Sequence, residues 1–127
     1  PGHPCIVGTW PFVSDLRTGA MSGGSGEQGL LTAACAQMLQ YYDLPSGAAS
    51  GMADSKMPDA QSGYEKGSTL VMAGLTGLNM VYEAAGMHAS LLGFCLESLI
   101  IDNDMLGQCL RCVRGIEVND QTIGIQD

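Results

Sequence analysis

Gly51-Met52-Ala53-Asp54-Ser55-Lys56-Met57-Pro58-Asp59-Ala60-Gln61 is the stretch on which the reading of the fold turns. It follows a run of small residues, 46–52, that is compatible with a tightly packed parallel strand, although Gly and Ala are poor strand formers. It leads into a long helical pattern. A strand, a polar cluster and a helix in succession form the repeating unit of α/β proteins, which carry their chemistry at such junctions. A plainer account stands beside this one. Asp54 or Ser55 starts a turn, Pro58 sits in the first helical turn, and Asp59 complements the helix dipole.

Outward from this junction the same unit recurs. Residues 5–10, Cys-Ile-Val-Gly-Thr-Trp between two prolines, read as a short buried strand that delivers Trp10 to its C-terminal end. Residues 12–26 form a Gly- and Ser-rich connection whose spacing matches neither the nucleoside-triphosphate nor the dinucleotide fingerprint. Ser25 or Gly26 then caps a helix with Leu30, Leu31, Ala34, Cys35, Met38, Leu39 and Tyr42 on the stripe expected to face a sheet, and Glu27 in its first turn. Leu44-Pro45 stops it.

Downstream, a helix is predicted over residues 59–78, where Gly67, Gly74 and Gly77 require a closely packed neighbour. Residues 79–83 form a third strand ending in Glu83, residues 84–93 a Gly-punctuated loop with His88, and residues 103–114 a last helix stopped by Gly115. The order strand, helix, strand, helix, strand, helix implies parallel strands and right-handed crossovers. The fold class is therefore α/β, either an open sheet or a partial TIM (β/α)8 barrel of about three βα units.

Composition narrows the function. The 127 residues suffice for one region, 1–127, and with 46% hydrophobic and 14% charged residues much of it is buried. A net charge of −8 with only five Lys and Arg argues against nucleic acid as a partner, and no apolar run is long enough to span a membrane. Cysteines at 5, 35, 95, 109 and 112, an odd number set mostly in apolar segments, read as reduced thiols of a cytoplasmic protein. The chain opens Pro-Gly-His-Pro and closes on Gln126-Asp127, and reads as a fragment of a larger barrel domain. Such a fragment leaves strand edges and apolar faces open, so it is expected to aggregate or form homo-oligomers.

Few side chains carry chemistry. Cys109-Leu-Arg-Cys112 has redox or metal spacing, but no second pair or nearby His completes a site, so core packing is expected and no metal is assigned. His88 can serve as acid, base or ligand, or as a structural histidine; no orienting partner is visible in the sequence. Trp10, Tyr64, Tyr82 and Phe94 fall near strand ends or helix starts, close to Asp54, Asp59 and Glu83. Aromatic faces with carboxylates form a receptor for a quaternary ammonium ion, although aromatics mostly fill cores.

Four segments carry a resemblance. Residues 10–20, Trp-Pro-Phe-Val-Ser-Asp-Leu-Arg-Thr-Gly-Ala, residues 54–65, Asp-Ser-Lys-Met-Pro-Asp-Ala-Gln-Ser-Gly-Tyr-Glu, residues 99–104, Leu-Ile-Ile-Asp-Asn-Asp, and residues 110–118, Leu-Arg-Cys-Val-Arg-Gly-Ile-Glu-Val, resemble the trimethylamine methyltransferase family, the second block most specifically. Full members are several times longer, and this chain resembles the C-terminal half of their barrel without its final segment. The resemblance implies a TIM barrel that passes a methyl group from a methylated amine to the Co(I) corrinoid of a separate cognate protein. The corrinoid is then the only cofactor, carried by the partner and not bound directly by this chain.

The trimethylamine enzymes carry pyrrolysine, whereas this sequence holds only standard residues. It therefore resembles members without pyrrolysine, which are thought to use quaternary amines such as glycine betaine. On that reading Trp10, Tyr64 and Tyr82 contribute aromatic walls, Asp54 and Glu83 negative charge, and Lys56 pairs with a betaine carboxylate or with Asp59. His88 is the candidate for orienting substrate, and no nucleophile is needed. The alternatives are a non-catalytic binding module for methylated amines and a structural half-barrel.

Overall fold

The computed structural model describes residues 2–124, so the closing Gln126-Asp127 lies outside the described residues. Three parallel strands, β1 (Val7–Thr9), β4 (Ser46–Ala49) and β5 (Met80–Tyr82), form a sheet in the order β1-β4-β5. The register pairs Gly8 with Gly47 and Ala49 with Tyr82. Helix α1 (Gly26–Tyr41) crosses from β1 to β4, α2 (Ala60–Leu75) from β4 to β5, and α3 (Leu96–Arg114) follows β5. Helix α1 packs on β4 and β1, α2 on α1, and α3 on α2. The α/β class and the strand–helix alternation expected from the sequence are thus present. No helix among the described residues is long and apolar enough to cross a membrane.

Small residues make the central strand. Ser46, Ala48 and Ala49 are buried, and the Tyr82 side chain lies across Gly8 and Gly47. A Cβ on Gly8 would come within 3.1 Å of the Tyr82 hydroxyl, and one on Gly47 would overlap it. Glycine's low strand propensity is accepted here because an aromatic ring takes the space a side chain would need.

Caps set the helix starts. Ser25 Oγ accepts from Gln28 N–H at 3.2 Å, and Asp59 Oδ1 accepts from Ser62 N–H at 2.9 Å. Asp59, expected only to complement the dipole, is thus the cap itself, and Pro58, expected in the first helical turn, precedes it. The expected close neighbour of α2 is also present, since a Cβ on Gly74 would run into Val113 of α3.

Several expectations fail for physical reasons. The α1 stripe does not face the sheet as a whole: Leu30 and Met38 are exposed, and the buried positions are Gln28, Gly29, Thr32, Ala36 and Leu39. A sheet of small residues draws helices close, and small or hydrogen-bonding side chains fit that approach better than Leu. Helix α3 begins at Leu96, well before residue 103, with Cys95 as its cap. Asp102, just before the expected start, lies within α3 with its side chain turned inward to Lys66 of α2.

The connections are also more ordered than expected. They hold the antiparallel hairpins β2 (Val13–Ser14) with β3 (Met21–Ser22) and β6 (Met87–His88) with β7 (Gly93–Phe94). A short helix α4 (Asp120–Ile123) opens with a capping box between Asn119 and Thr122. Of the cysteines, all free, Cys109 is buried, while Cys112 and Cys5 are exposed, so the thiols are less buried than anticipated.

Candidate functional site at the strand ends

The C-terminal ends of the parallel strands lead into three loops, and Asp54 joins them. Its Oδ2 accepts from Ser22 Oγ at 2.5 Å, and its Oδ1 accepts from Gly23 N–H at 2.7 Å, Gly24 N–H at 3.3 Å and Ser90 Oγ at 2.5 Å. Burial alone would raise this carboxyl; the hydrogen bonds from Ser22, Ser90, Gly23 and Gly24 outweigh it and hold the group below its usual value. Glu65, one turn into α2, supports the loop from below. Its Oε2 accepts from Asp54 N–H at 2.8 Å and more weakly from Ser55 N–H at 3.4 Å.

A cavity of about 240 Å³ opens beside this junction, lined by Met21, Asp54, Lys56, Ala89, Ser90 and Leu92 among others. A larger and more open cavity, about 710 Å³, lies at the end of α3 between Arg111, Arg114 and Glu117 and contains none of the strand-end residues. The smaller cavity is the one at the Asp54 junction, and the left-handed residues Ala89 and Ser90 line it.

Trp10 stacks on Tyr82 with ring centroids 5.9 Å apart and planes 11° apart, and Phe12 is tilted against Trp10 at 5.8 Å. Trp10 remains 46% exposed. Glu83, next in chain after Tyr82, has a left-handed backbone (φ 60), and its buried Oε2 has no hydrogen-bond partner. Burial pushes this carboxyl up. Lys56 is exposed at the cavity, and it forms no ion pair with Asp59, whose carboxyl is spent as the cap.

The strand ends therefore stack Trp10 on Tyr82, with Glu83 next in chain, and place Asp54 and Lys56 at the cavity, whose lining includes none of those three. Tyr64 is not brought in: it lies on α2, 65% exposed, outside the cavity lining. Phe94 is also exposed, packed near Gly86. His88 is buried, with Nε2 facing Lys66 Nζ at 3.4 Å and Nδ1 facing the Ser55 carbonyl at 3.3 Å. Among the described residues no group of three or more His, Cys, Asp or Glu side chains is placed to hold a metal ion.

Ser22, Ser90, Glu65, Lys66 and Asp102 escaped the sequence reading. One signal was present: Glu65 and Lys66 are the charged pair in an otherwise uncharged helix, a sign of buried partners.

Parallel strands joined by helices, with a polar junction where the strands end, define an α/β protein with a strand-end site. The chain belongs to the trimethylamine methyltransferase (MTTB) family, whose profile matches residues 1–127. It is 37% identical over 126 residues to the trimethylamine methyltransferase MttB of Methanosarcina thermophila, covering 99% of this chain and 26% of that protein. It is 40% identical over 115 residues to the glycine betaine methyltransferase of Desulfitobacterium hafniense strain Y51, covering 91% and 24%. A trimethylamine methyltransferase MttB from Desulfitobacterium hafniense strain DSM 10664 / DCB-2 is 36% identical over 124 residues, covering 98% and 25%. The chain thus spans about a quarter of the length of these relatives.

Proposed function

We propose that this chain forms part of a methyltransferase that takes a methyl group from a quaternary amine, glycine betaine being the type substrate, and gives it to the Co(I) corrinoid of a cognate partner protein. The observation that carries the reading is the stacked Trp10–Tyr82 pair, followed in the chain by Glu83 with its unpartnered carboxylate oxygen, in a chain similar to a trimethylamine and a glycine betaine methyltransferase. The sheet supports a partial TIM barrel. Its strands lie in chain order β1-β4-β5, each joined to the next by a helix, as in a singly wound barrel. A cytoplasmic location, where thiols stay reduced, suits the free cysteines.

The chemistry asks little of the protein in proton transfer. A quaternary nitrogen leaves as a neutral amine when one methyl departs, so no general acid or base is required. Neither nitrogen of His88 is free for that task. The side chains instead bind and orient the cation and exclude water. Trp10 and Tyr82 offer aromatic surface, worth roughly 0.5–2 kcal/mol to a quaternary ammonium. Glu83 is the carboxylate left for the cation, because both Asp54 oxygens are taken by donors of this chain. Asp54 shapes the cavity wall and adds negative charge, and Lys56 at the cavity pairs with a betaine carboxylate.

The corrinoid, when its carrier docks, supplies the nucleophile that accepts the methyl group. Leu92, at the cavity and 90% exposed, offers an apolar rim for that carrier, and no residue here is asked to ligate cobalt. Bringing a cation and an electron-rich centre together spreads charge in the transition state, which a water-poor pocket favours.

The test uses the full-length polypeptide with glycine betaine and the reduced corrinoid partner. Release of dimethylglycine is expected. Betaine binding without dimethylglycine leaves a binding module for methylated amines, and neither binding nor turnover leaves a structural role.

A further inference from the structure

Lys66 is fully buried in α2, and all of its ammonium hydrogens are taken. They go to Asp102 Oδ2 at 2.6 Å, Ser98 Oγ at 2.8 Å and His88 Nε2 at 3.4 Å. The same Asp102 oxygen accepts from Gly86 N–H at 2.7 Å and from the Ser98 hydroxyl at 3.0 Å, which closes the network between α2, α3 and the loop after β5. An ammonium only donates, so His88 Nε2 carries a lone pair. On the other side of the ring a carbonyl oxygen only accepts, so Nδ1 carries the hydrogen. The surroundings therefore specify the neutral Nδ1–H tautomer.

The Ser55 carbonyl that receives His88 also accepts from Ala89 N–H at 2.9 Å, and the Ala53 carbonyl accepts from Ser90 N–H at 3.1 Å. These contacts secure an unusual piece of backbone. Ala89, Ser90 and Leu91 have φ of 50, 51 and 78, three consecutive non-glycine residues in the left-handed region. L-residues avoid that region, so such a turn persists only where its surroundings over-determine it. Ala89 and Ser90 form a wall of the 240 Å³ cavity, and Ser90 Oγ donates to Asp54 at 2.5 Å. The turn is thus held from below by the buried network and from the side by Asp54.

We propose that Lys66, Asp102 and His88 are positioning residues that hold the Ala89–Leu91 turn in its left-handed form, so that this wall is pre-shaped for the methyl groups of the amine. His88 acts through its hydrogen bond to the Ser55 carbonyl, not as an acid or base. The identity of the ligand rests on the methylamine reading above; the ordering of the turn does not.

The experiment compares the full-length polypeptide with its His88→Ala and His88→Asn variants, because an asparagine amide can restore the donor at the position of Nδ1. Hydrogen exchange at the Ala89 and Ser90 amides is expected to accelerate about five- to tenfold in His88→Ala, the effect of losing one buried hydrogen bond, and to stay near the parent rate in His88→Asn. With glycine betaine, His88→Ala is expected to raise KM about fivefold or more while the pH profile of kcat/KM keeps its shape. Unchanged exchange at both amides in His88→Ala, or loss of one limb of the pH profile in both variants, overturns the proposal. On the unmutated protein, nitrogen NMR of labelled histidine is expected to show a protonated Nδ1 and a bare Nε2; a protonated Nε2 also overturns it. If exchange accelerates as expected but no amine is turned over, the positioning role stands and the methyl-transfer reading falls.

Discussion

Replacing Asp54 with alanine removes the acceptor that four donors share: the Ser22 and Ser90 hydroxyls and the Gly23 and Gly24 amides. A hydrogen bond to a charged group is worth roughly 1.5–3 kcal/mol, but these four do not add. The Gly24 contact at 3.3 Å is weak, the freed hydroxyls can turn to water, and part of the carboxylate already faces solvent, which discounts its electrostatics. Asp54→Ala is therefore expected to cost about 3–4 kcal/mol in the full-length protein, a large share of a typical total of about 5–15 kcal/mol. Asp54→Asn keeps one acceptor oxygen and is expected to cost about 1–2 kcal/mol.

The pH dependence has a definite sign. The folded carboxyl lies below its ordinary value of 3.8, so its contribution is present above that pH and is lost as pH falls through the folded value. Urea unfolding followed by circular dichroism should show a constant gap between parent and Asp54→Ala at neutral and mildly acidic pH, closing below pH 3.8. A gap below about 0.5 kcal/mol at pH 7 would refute the junction reading, since that is the range of ordinary surface substitutions.

Two further substitutions probe the strand ends. Glu83 has its carboxyl raised above 4.5 by burial. A raised acid favours the folded state below its unfolded value and loses that advantage as pH rises through the folded one, so Glu83→Gln should raise Tm at neutral pH and leave it unchanged below pH 4.5, as a thermal melt series can check. The same substitution should weaken betaine binding. Trp10→Ala should weaken the quaternary ammonium by roughly 2- to 30-fold, from a cation–π term of roughly 0.5–2 kcal/mol, in isothermal titration; equal affinity in parent and variant would remove Trp10 from the site.

What the sequence made legible follows the range of the forces involved. Strand–helix alternation, the Ser25 cap and the polar junction at Asp54 depend on neighbours a few residues away, and periodicity and capping rules reach that far. The start of α3 was hidden because its cap is Cys95, outside the usual capping residues, and because Asp102 is held inward by Lys66 on another helix. The β2–β3 and β6–β7 hairpins have strands of only two residues, too short for an alternating pattern. The α1 stripe misled because the sheet beneath it is built of Ser, Gly and Ala, which reward close approach more than large apolar side chains.

The candidate site was legible in its composition and less so in its geometry. Trp10 and Tyr82 do stack, with Glu83 next in chain, whereas Tyr64 lies exposed on α2 and His88 is buried against the Ser55 carbonyl. Ser22 and Ser90 gave no signal, since a serine that completes a carboxylate's hydrogen bonds looks like any loop serine until the loops are brought together.

The most direct measurement follows the methyl group itself. The full-length polypeptide is mixed in a single turnover with glycine betaine carrying isotopically labelled methyl groups and with its reduced corrinoid partner, and the cobalt-bound methyl is analysed. The account predicts labelled methyl on the corrinoid and an equal amount of dimethylglycine. Betaine recovered intact while bound to the protein, with no label on the corrinoid, would contradict it.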